Sequence, residues 1–505
     1  MFEPMKRTLI MDSADTVALC LGDVAPGDWV NDGRLMARDA VPAGHKIALK
    51  PMACGEPVLK YSQVIGVASR DIAAGEHVHV HNVSHEARVM ARVLGKPASA
   101  PTPRPASFLG YLRPDGRVAT RNYIGVLTSV NCSATVARNI ADSFPSMLFD
   151  DRPEIDGVVA LTHTTGCGMT PTSEGMANLR RTLGGYARHA NFAGVLLVGL
   201  GCEVMQISSL FGGEGDLARG PMLRTLSIQD EGGTHRSIAA GKAIVKEMLL
   251  ELEGLERQVL SAEHLTLGLQ CGGSDGWSGV TANPALGRAA DRLVAAGGTV
   301  ILSETPEIFG AEQLLFNRAV SDDVRRALAE RLDWWQHYVA RNGAELNNNP
   351  SPGNIQGGLT TILEKSLGAV AKSGSAPLQA VYRYGETIQH KGFVFMDSPG
   401  YDPCSATGQT ASGANILAFT TGRGSVFGSK PAPCIKLASN AVMATRMNED
   451  MDIDCSPVLD GVDLVEMGDL IFQEIVDVAS GKLSKSEALG LGDLEFVPWQ
   501  MGAVL

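Results

Sequence analysis

The stretch Leu269-Gln-Cys-Gly-Gly-Ser-Asp-Gly-Trp-Ser-Gly-Val-Thr-Ala-Asn-Pro284 decides the fold of this chain. Residues 265–269 alternate like a buried strand, residues 284–294 carry apolar side chains at helical spacing, and residues 299–304 are typical of the next strand. Asn283 can cap the helix, and Pro284 suits its first turn. The pattern predicts a strand–loop–helix–strand unit. Its polar loop lies at the carboxyl end of the first strand, where open parallel sheets bind ligands.

The loop itself combines several chemical types. It holds the Cys271 thiol, the Ser274 hydroxyl and the Asp275 carboxylate, together with glycines that let backbone amides approach a ligand. A tight structural turn is the alternative interpretation, but a turn alone would not need so many different polar groups. The loop is therefore the first candidate for a ligand site.

Length and composition limit the classes of protein. A chain of 505 residues predicts two to four domains, and 44 % hydrophobic with 19 % charged residues is ordinary for a globular protein. A net charge of −12 without a basic run argues against a nucleic-acid partner. No apolar run reaches the ~18–20 residues of a membrane span, and the N-terminus lacks the apolar stretch of a signal peptide. We expect a cytoplasmic protein whose nine cysteines are thiols.

Residues 1–94 predict an all-β module of short strands punctuated by glycine. His77, His79 and His81 alternate along one of these strands, so a strand places all three on one face. Three imidazoles on one face suit a divalent metal or an anionic substrate, and a solvated strand face is the alternative. Further positive charge, which favours carboxylate binding, comes from His45, Lys46 and Lys60.

Residues 95–107 predict a linker, because four prolines and small residues favour an extended polyproline chain over a core. Residues 108–258 and 259–505 then predict two α/β domains with mostly parallel sheets. The predicted fold is thus multidomain, an all-β module followed by two α/β domains.

Four cysteines occupy equivalent places in the predicted α/β region. Cys132, Cys167, Cys202 and Cys271 each come just past a predicted buried strand, and parallel strands end at one edge of a sheet, so the thiols could converge. Iron or an iron–sulfur cluster would suit them, and small packing residues near a site are the alternative. Arg423, between two glycines, can pair with both oxygens of a carboxylate, or it is a surface turn residue.

Several longer motifs appear in a defined order: Gly75-Glu-His-Val-His-Val-His-Asn82, Gly116-Arg-Val-Ala-Thr-Arg-Asn122, Gly199-Leu-Gly-Cys-Glu203, Cys271-Gly-Gly-Ser-Asp-Gly276 and Thr421-Gly-Arg-Gly424. With these motifs the chain resembles the altronate/galactarate dehydratase family over nearly its whole length. The resemblance implies an N-terminal SAF domain of the β-clip type. It also implies dehydration of a sugar acid to a 2-keto-3-deoxy acid with a divalent metal, Fe²⁺ or Mn²⁺.

The resemblance also bears on the substrate. Residues 306–315 and the triple-histidine strand resemble the altronate branch, which implies conversion of D-altronate to 2-keto-3-deoxy-D-gluconate. Residues 401–409 depart from altronate enzymes, so the sugar acid stays open and galactarate is the alternative. A sulfolactate sulfo-lyase and a non-catalytic sugar-acid sensor are further alternatives. A sensor would need Arg423 and amide contacts but no metal site.

The reaction removes a proton from C2 and a hydroxyl from C3, so it requires a base, an acid and a group that stabilises the enediolate. Candidate catalytic residues are His45, Lys46, His77, His79, His163 and Asp275. Candidate substrate-binding residues are Lys60, Arg121, Asn122, Ser274, Asn283, Thr421 and Arg423. Candidate metal ligands are Cys132, Cys167, Cys202, Cys271 and His81.

The histidine face and the cysteine-lined edge each carry part of such a site. We therefore expect the linker to fold the N-terminal module over the cysteine-lined edge of the α/β sheet, so that the site forms between domains. It could form within one chain or across a homodimer.

Overall fold

The computed structural model describes residues 7–85, 99–211, 220 and 222–504. A strand-rich N-terminal module, a first α/β domain and a larger C-terminal α/β domain follow one another along the chain. The predicted boundary at residue 94 and residues 95–98 of the predicted linker lie outside the described residues. The boundaries at residues 107 and 258 stay predictions.

The N-terminal module consists of short strands and turns. Its strands are β1 (Thr8–Leu9), β2 (Val17–Cys20), β3 (Trp29–Val30), β4 (Leu35–Met36), β5 (Lys46–Ala48), β6 (Pro57–Lys60), β7 (Gln63–Ala68), β8 (His77–Val78) and β9 (Val83–Ser84). They form sheets ordered β1-β2-β5-β8 and β6-β7-β9 and the pair β3-β4. Ile47, Val58 and Ile65 are fully buried between them. Gly75 has a positive φ, and a Cβ there would lie 2.2 Å from the Met36 carbonyl oxygen, so this turn requires glycine.

The first α/β domain is built around a parallel sheet. Its elements are β10 (Ser107–Leu112), β11 (Val118–Ala119), β12 (Tyr123–Thr128), α1 (Ala134–Ala141), β13 (Gly157–Leu161), α2 (Glu174–Ala187), β14 (Phe192–Gly199), β15 (Leu223–Ser227) and α3 (Thr234–Leu250). The sheet order is β13-β12-β14-β15, with every pair parallel. Ile124 and Val126 contribute to the core beneath α1 and α3, while Leu127 contributes to the core beneath α2. Alternate side chains of one strand therefore serve opposite faces.

The C-terminal domain contains a larger parallel sheet. The first strand of this domain, β16 (Gln258–Ser261), pairs with β10. The strands of the larger sheet are β17 (Thr266–Cys271), β18 (Thr299–Leu302), β19 (Leu378–Tyr382), β20 (Gly392–Met396), β21 (Ile416–Thr421), β22 (Cys434–Ala438) and β23 (Ile453–Asp454). Its helices are α4 (Ala282–Ala295), α5 (Glu312–Phe316), α6 (Asp322–Arg341), α7 (Pro352–Gln356), α8 (Ile362–Ala371), α9 (Asp402–Ala411), α10 (Ala441–Arg446), α11 (Leu464–Ala479) and α12 (Lys485–Ala488). The predicted sequence of a strand-rich module followed by α/β domains with parallel sheets is confirmed. The β-clip topology stays a prediction.

The order in which strands are added to the seven-stranded sheet reverses at its centre. Its order is β19-β20-β18-β17-β21-β22-β23. Strands β17 to β20 therefore form one half of the sheet, and the chain then returns to the centre, where β21 pairs with β17 and begins the other half. A crevice forms at such a switch point, beyond the carboxyl ends of the two strands. Cys271 is the last residue of β17 and Thr421 is the last residue of β21. The predicted ligand loop thus lies at the switch point of the sheet.

One detail differs from the sequence-based expectation, and a second concerns the predicted boundary at residue 258, which stays a prediction. Helix α4 begins at Ala282 with Thr281 as the preceding cap residue, so Asn283 is a buried first-turn residue and not the cap. Strand β10 pairs with β16, Phe108 opposite Leu260, so residues on both sides of the predicted boundary at 258 share one antiparallel sheet. Along the described residues, no helix combines the length and the apolar character needed to cross a bilayer.

Candidate active site

Four histidines of the N-terminal module form one cluster. His45 precedes β5, His77 lies in β8, and the next turn carries His79 and His81. His45 Nδ1 is 3.1 Å from His77 Nε2, and the rings of His45 and His79 are 4.9 Å apart between centroids. One ligand atom from each of His45, His77 and His79 lies within 4.8 Å of the others, which a single metal ion can bridge. The His81 ring is next to His77, but His81 is exposed and lies outside this group.

The environment keeps these imidazoles neutral at pH 7. Burial lowers the pKa of His45, and burial together with the neighbouring imidazoles and Lys46 lowers the pKa of His77 to about 4 and of His79 to about 3. A neutral imidazole has a lone pair free for a metal. Among the described residues, the buried Nδ1 of His79 has no hydrogen-bond partner. The cluster therefore offers one unpartnered nitrogen, that of His79, beside two other imidazoles that can bind a divalent metal.

The histidine cluster faces the C-terminal domain. His45 Nε2 lies 3.2 Å from the backbone carbonyl oxygen of Gln356, at the end of α7. Behind His45, a Cβ on Gly44 would lie 2.9 Å from the Trp277 indole nitrogen, and a Cβ on Gly276 would lie 2.1 Å from the Gly44 carbonyl oxygen. The two backbones approach so closely that side chains are excluded. We call this junction between the histidine cluster and the C-terminal domain the cleft; each domain provides one side of it.

A buried ion-pair triad fixes this arrangement. The Glu364 carboxylate, at the start of α8, accepts from Lys46 Nζ at 2.8 Å and from Lys60 Nζ at 3.0 Å. All three side chains are buried, and burial lowers the pKa of Lys46 to about 8 despite the opposing charge of Glu364. Both lysines were candidates for catalysis or substrate binding. In the structure their ion pairs join the N-terminal module to the C-terminal domain, and their roles in the reaction stay predictions.

Asp275 organises the loop after β17. Its Oδ1 accepts hydrogen bonds from the Ser278 amide and from the Ser278 and Ser439 hydroxyls, and its Oδ2 accepts from Asn440 Nδ2 at 2.9 Å. Burial raises the pKa of Asp275 while these donors oppose the shift. The carboxylate is enclosed by its own loop, which is a positioning arrangement and not that of an accessible base.

The other loop candidates divide into two groups. Asn283 donates to the Gly368 carbonyl of α8 and accepts from Thr420 of β21, so it joins α4 to a neighbouring helix and to the sheet. Ser274 differs, because its buried hydroxyl has no hydrogen-bond partner among the described residues. Thr421 accepts from the Gly424 amide and shapes the turn that presents Arg423.

Arg423 contacts Gln356, the same residue that His45 contacts. Its Nη2 donates to Gln356 Oε1 at 2.8 Å, and the backbone carbonyl of the same glutamine contacts His45. The guanidinium is exposed, and a neutral amide is its partner, so its charge is not cancelled. The arginine and the histidines therefore share the cleft and are linked through one residue.

A second group of ionisable residues lies beyond the carboxyl ends of β17 and β18, and the sequence reasoning missed all of its members except Cys271. Cys271 Sγ is 3.5 Å from Glu307 Oε2, and Lys365 Nζ is 2.6 Å from Glu307 Oε1. Lys372 Nζ is 3.5 Å from Glu304 Oε2. The donor atoms of Cys271, Glu304 and Glu307 lie within 4.8 Å of one another, and neither carboxylate oxygen of Glu304 has a hydrogen-bond partner among the described residues. The signal was available, because Glu304 ends the predicted strand 299–304 and Glu307 follows it three residues later.

Asp402 borders the same group at the start of α9. A Cβ on Gly272 would lie 2.2 Å from its Oδ2, and the adjacent Gly273 would contact the Arg423 side chain at 3.2 Å. Asp402 and Arg423 therefore flank the Gly272–Gly273 pair. Burial and the charge of Glu307 raise the pKa of Asp402 to about 7. A carboxyl group with that pKa can exchange protons near neutral pH.

Models of three protein domains match nearly the whole chain. They are the altronate/galactarate dehydratase SAF domain at residues 6–86, the D-galactarate dehydratase/altronate hydrolase second domain at residues 110–253, and the D-galactarate/altronate dehydratase C-terminal domain at residues 262–504. The chain belongs to the altronate/galactarate dehydratase family. It is therefore an enzyme of the hydro-lyase class.

Individual proteins are similar to this chain over most of its length. The chain is 33 % identical to altronate dehydratase of Bacillus subtilis over 494 residues, 96 % of this chain and 97 % of that protein. It is 36 % identical to galactarate dehydratase (L-threo-forming) of Escherichia coli over 480 residues, 93 % of this chain and 92 % of that protein. It is also 32 % identical to the (2R)-sulfolactate sulfo-lyase β subunit of Chromohalobacter salexigens, over 76 % of this chain and 95 % of that protein.

The candidate residues of the dehydratase's first α/β domain lie outside the cleft. Arg121 is buried in a two-pronged ion pair with Glu487, at 2.6 and 2.8 Å, and Asn122 accepts from Arg113 at 2.7 Å. The His163 ring contacts the Thr128 carbonyl oxygen at 2.9 Å, and burial lowers its pKa to about 4. Each of these three side chains thus has its own hydrogen-bond partners within the fold.

The four cysteines do not form one set in the dehydratase. Cys132, Cys167 and Cys202 follow strands of the four-stranded sheet and are exposed, whereas Cys271 ends β17 of the seven-stranded sheet and is buried. Hydrogen bonds and ion pairs of the described module residues reach the C-terminal domain, as those of His45, Lys46 and Lys60 do. The expectation that the histidines cover the edge with Cys132 and His163 is therefore wrong; they cover the switch point of the larger sheet.

Proposed function

We propose that the chain eliminates water from a sugar acid, D-altronate, and yields 2-keto-3-deoxy-D-gluconate. The observation that carries the proposal is the placement of His45, His77 and His79 beside Arg423, through the shared contact with Gln356. A metal site and a carboxylate anchor in one cleft match what an elimination next to a carboxylate requires.

The histidines suit Fe²⁺ or Mn²⁺ in several respects. Their donor atoms lie within 4.8 Å of one another, their lowered pKa values keep them unprotonated, and one buried nitrogen of His79 lacks a partner. Imidazole is a ligand that both ions accept. When bound, the metal would polarise the substrate carboxylate and spread the charge that develops as the C2 proton leaves.

Arg423 would orient the substrate carboxylate through its planar pair of donors. Lys46 and Lys60 are paired with Glu364, while Glu307 and Glu304 pair with Lys365 and Lys372 respectively. Among these lysines, Lys46, Lys60 and Lys365 donate hydrogen bonds to carboxylates of the protein, which leaves them less accessible to a second substrate carboxylate. One accessible guanidinium favours an aldonate, which has one carboxylate, over an aldarate, which has two.

Asp402 would move the proton. It borders Gly272, on the opposite side of the Gly272–Gly273 pair from Arg423, and its raised pKa suits proton exchange near pH 7. In this arrangement Arg423 holds C1 and Asp402 acts at the neighbouring carbon. Asp275 and Ser274 support the loop that separates the two.

The test is an assay of hexonates, hexarates and sulfolactate with ferrous iron under anaerobic conditions. We expect D-altronate to give a 2-keto-3-deoxy product. Turnover of galactarate without altronate would reassign the substrate to the dicarboxylates. Sulfite release from sulfolactate would reassign the reaction, and binding without turnover would indicate a sensor.

A further inference from the structure

Three exposed thiols lie at the carboxyl edge of the four-stranded sheet. Strands β13, β12 and β14 are neighbours, and Cys167, Cys132 and Cys202 respectively follow them. Thr128 and Val198 are register partners, and Cys132 and Cys202 each come four residues later. Because neighbouring strands are about 4.8 Å apart, the three loops leave the sheet side by side.

Hydrogen bonds hold these three loops against one another. The Asn131 amide donates to the Thr165 carbonyl at 3.0 Å, and the Met205 amide donates to the Gly166 carbonyl at 2.9 Å. A Cβ on Gly166 would lie 2.2 Å from the Ser129 carbonyl oxygen, so only glycine allows this approach. The residue next to Cys167 is thus in contact with the loops that carry the other two cysteines.

The exposure of these thiols is unusual. Cysteine is among the most buried residue types, and Cys20, Cys271, Cys404, Cys434 and Cys455 follow that rule here. Three of the four exposed cysteines share one sheet edge, and the fourth, Cys54, is in the N-terminal module. Cys132 also lies in the helical turn that leads into α1.

The donor geometry discriminates between kinds of ligand. Among the described residues, two groups bring three donor atoms within 4.8 Å, and the three thiols are not one of them. A single zinc ion would need closer ligands and usually a fourth one. Inorganic sulfides widen an iron–sulfur cluster, so its cysteine ligands can stand further apart than those of one ion.

We propose that Cys132, Cys167 and Cys202 bind an iron–sulfur cluster at the carboxyl edge of the first α/β domain. The site is separate from the histidine cleft and does not depend on the proposed dehydration. Cys271, in the other sheet, has no part in it. Three thiolates would leave one iron of a four-iron cluster without a protein ligand, facing the open edge.

The experiment uses the full chain, purified without oxygen and treated with ferrous iron, sulfide and a thiol reductant, then desalted. Iron, acid-labile sulfide and visible absorption are measured per chain. We expect up to about four of each atom for a [4Fe–4S] cluster. Bound zinc without sulfide, or no bound sulfide in the wild type, would overturn the proposal.

Three variants, Cys132→Ser, Cys167→Ser and Cys202→Ser, should each retain about tenfold less sulfide, and Cys54→Ser is the matched exposed control that should retain all of it. Equal sulfide in all four would overturn the assignment of ligands. Alkylation of the wild type followed by mass spectrometry needs no variant: the loaded protein should protect these three thiols and leave Cys54 reactive. Reaction of the three in the loaded protein would also overturn it.

Discussion

The imidazole of His45 and the backbone carbonyl of Gln356 are 3.2 Å apart, although 311 residues separate them along the chain. This contact joins the histidine cluster to the residue that also holds Arg423. The cleft therefore exists only where the N-terminal module and the C-terminal domain meet. Each of its working parts can be changed separately.

Replacing a histidine tests the metal site. His79→Ala should lower the affinity for Fe²⁺ by roughly 10–100-fold and abolish turnover at limiting metal, because one of three donors is lost. Metal bound after equilibrium dialysis is the measurement, and His337→Ala, at an exposed histidine of α6, is the control. Treatment with a chelator should likewise remove activity that ferrous iron restores. Unchanged metal content in His79→Ala would refute the assignment.

Arg423→Lys tests the carboxylate anchor. A lysine keeps the charge but loses the two-pronged geometry, so we expect kcat/KM to fall by at least about tenfold with no change in the unfolding midpoint. Arg341→Lys at the exposed end of α6 provides the comparison. Wild-type kinetics in Arg423→Lys would make Arg423 a turn residue only.

Asp402→Asn tests proton transfer. Loss of a general acid or base should lower kcat by roughly 10²–10⁴-fold. In the wild type, a base with a pKa of about 7 is active when deprotonated, so the rate should rise as pH increases through 7. The variant should lose this limb of the pH profile. If kcat falls but the limb stays, Asp402 only positions the substrate.

Glu364→Gln tests the triad. The substitution leaves Lys46 and Lys60 buried without an opposite charge, and breaking a buried ion pair costs about 3–5 kcal/mol. Urea unfolding should show that loss, whereas Glu330→Gln on the exposed side of α6 should change stability by less than about 0.5 kcal/mol. A Glu364→Gln variant as stable as the control would show that solvent reaches the lysines.

His189 predicts a loss of stability in mild acid. Burial lowers its pKa to about 4, and its ring contacts the Ala414 carbonyl oxygen and the Asn191 amide. Below pH 6.5 this histidine binds a proton in the unfolded chain but stays neutral in the folded chain. The stabilisation is thus complete above 6.5 and is lost as pH falls toward 4.

The measurable part of this effect is the change in unfolding free energy between pH 7 and pH 5. For one such histidine it amounts to about 2 kcal/mol of unfolding free energy. His189→Gln should remove that share, while His235→Gln, at an exposed residue of α3, should keep it. An identical pH dependence in both variants would contradict the prediction.

The sequence predicted the features that depend on local pattern. The alternation of residues 265–269 and the turn chemistry after Cys271 indicated the strand–loop–helix unit, and the spacing of His77, His79 and His81 indicated their common face. These periodicities operate within a few residues. They are independent of what the rest of the chain does.

Partners that are distant in sequence escaped prediction. Glu364 and Asp402 lie near helix starts, where acidic side chains usually face water. Only the folded chain places Glu364 against Lys46 and Asp402 against Gly272. Cys271 does end β17, whereas β12 ends at Thr128, four residues before Cys132. Sequence pattern also does not say which strands share a sheet. The convergence of four cysteines therefore could not be decided before the topology was known.

The Lys46–Glu364–Lys60 triad also concerns synthesis on the ribosome. Glu364 follows Lys60 by 304 residues and Lys46 by 318. At typical rates of translation, the finished N-terminal module waits roughly 15–60 s before its counter-charge is made. During that interval both ammonium groups must remain hydrated, so the face that will later close the cleft stays open while the chain is nascent.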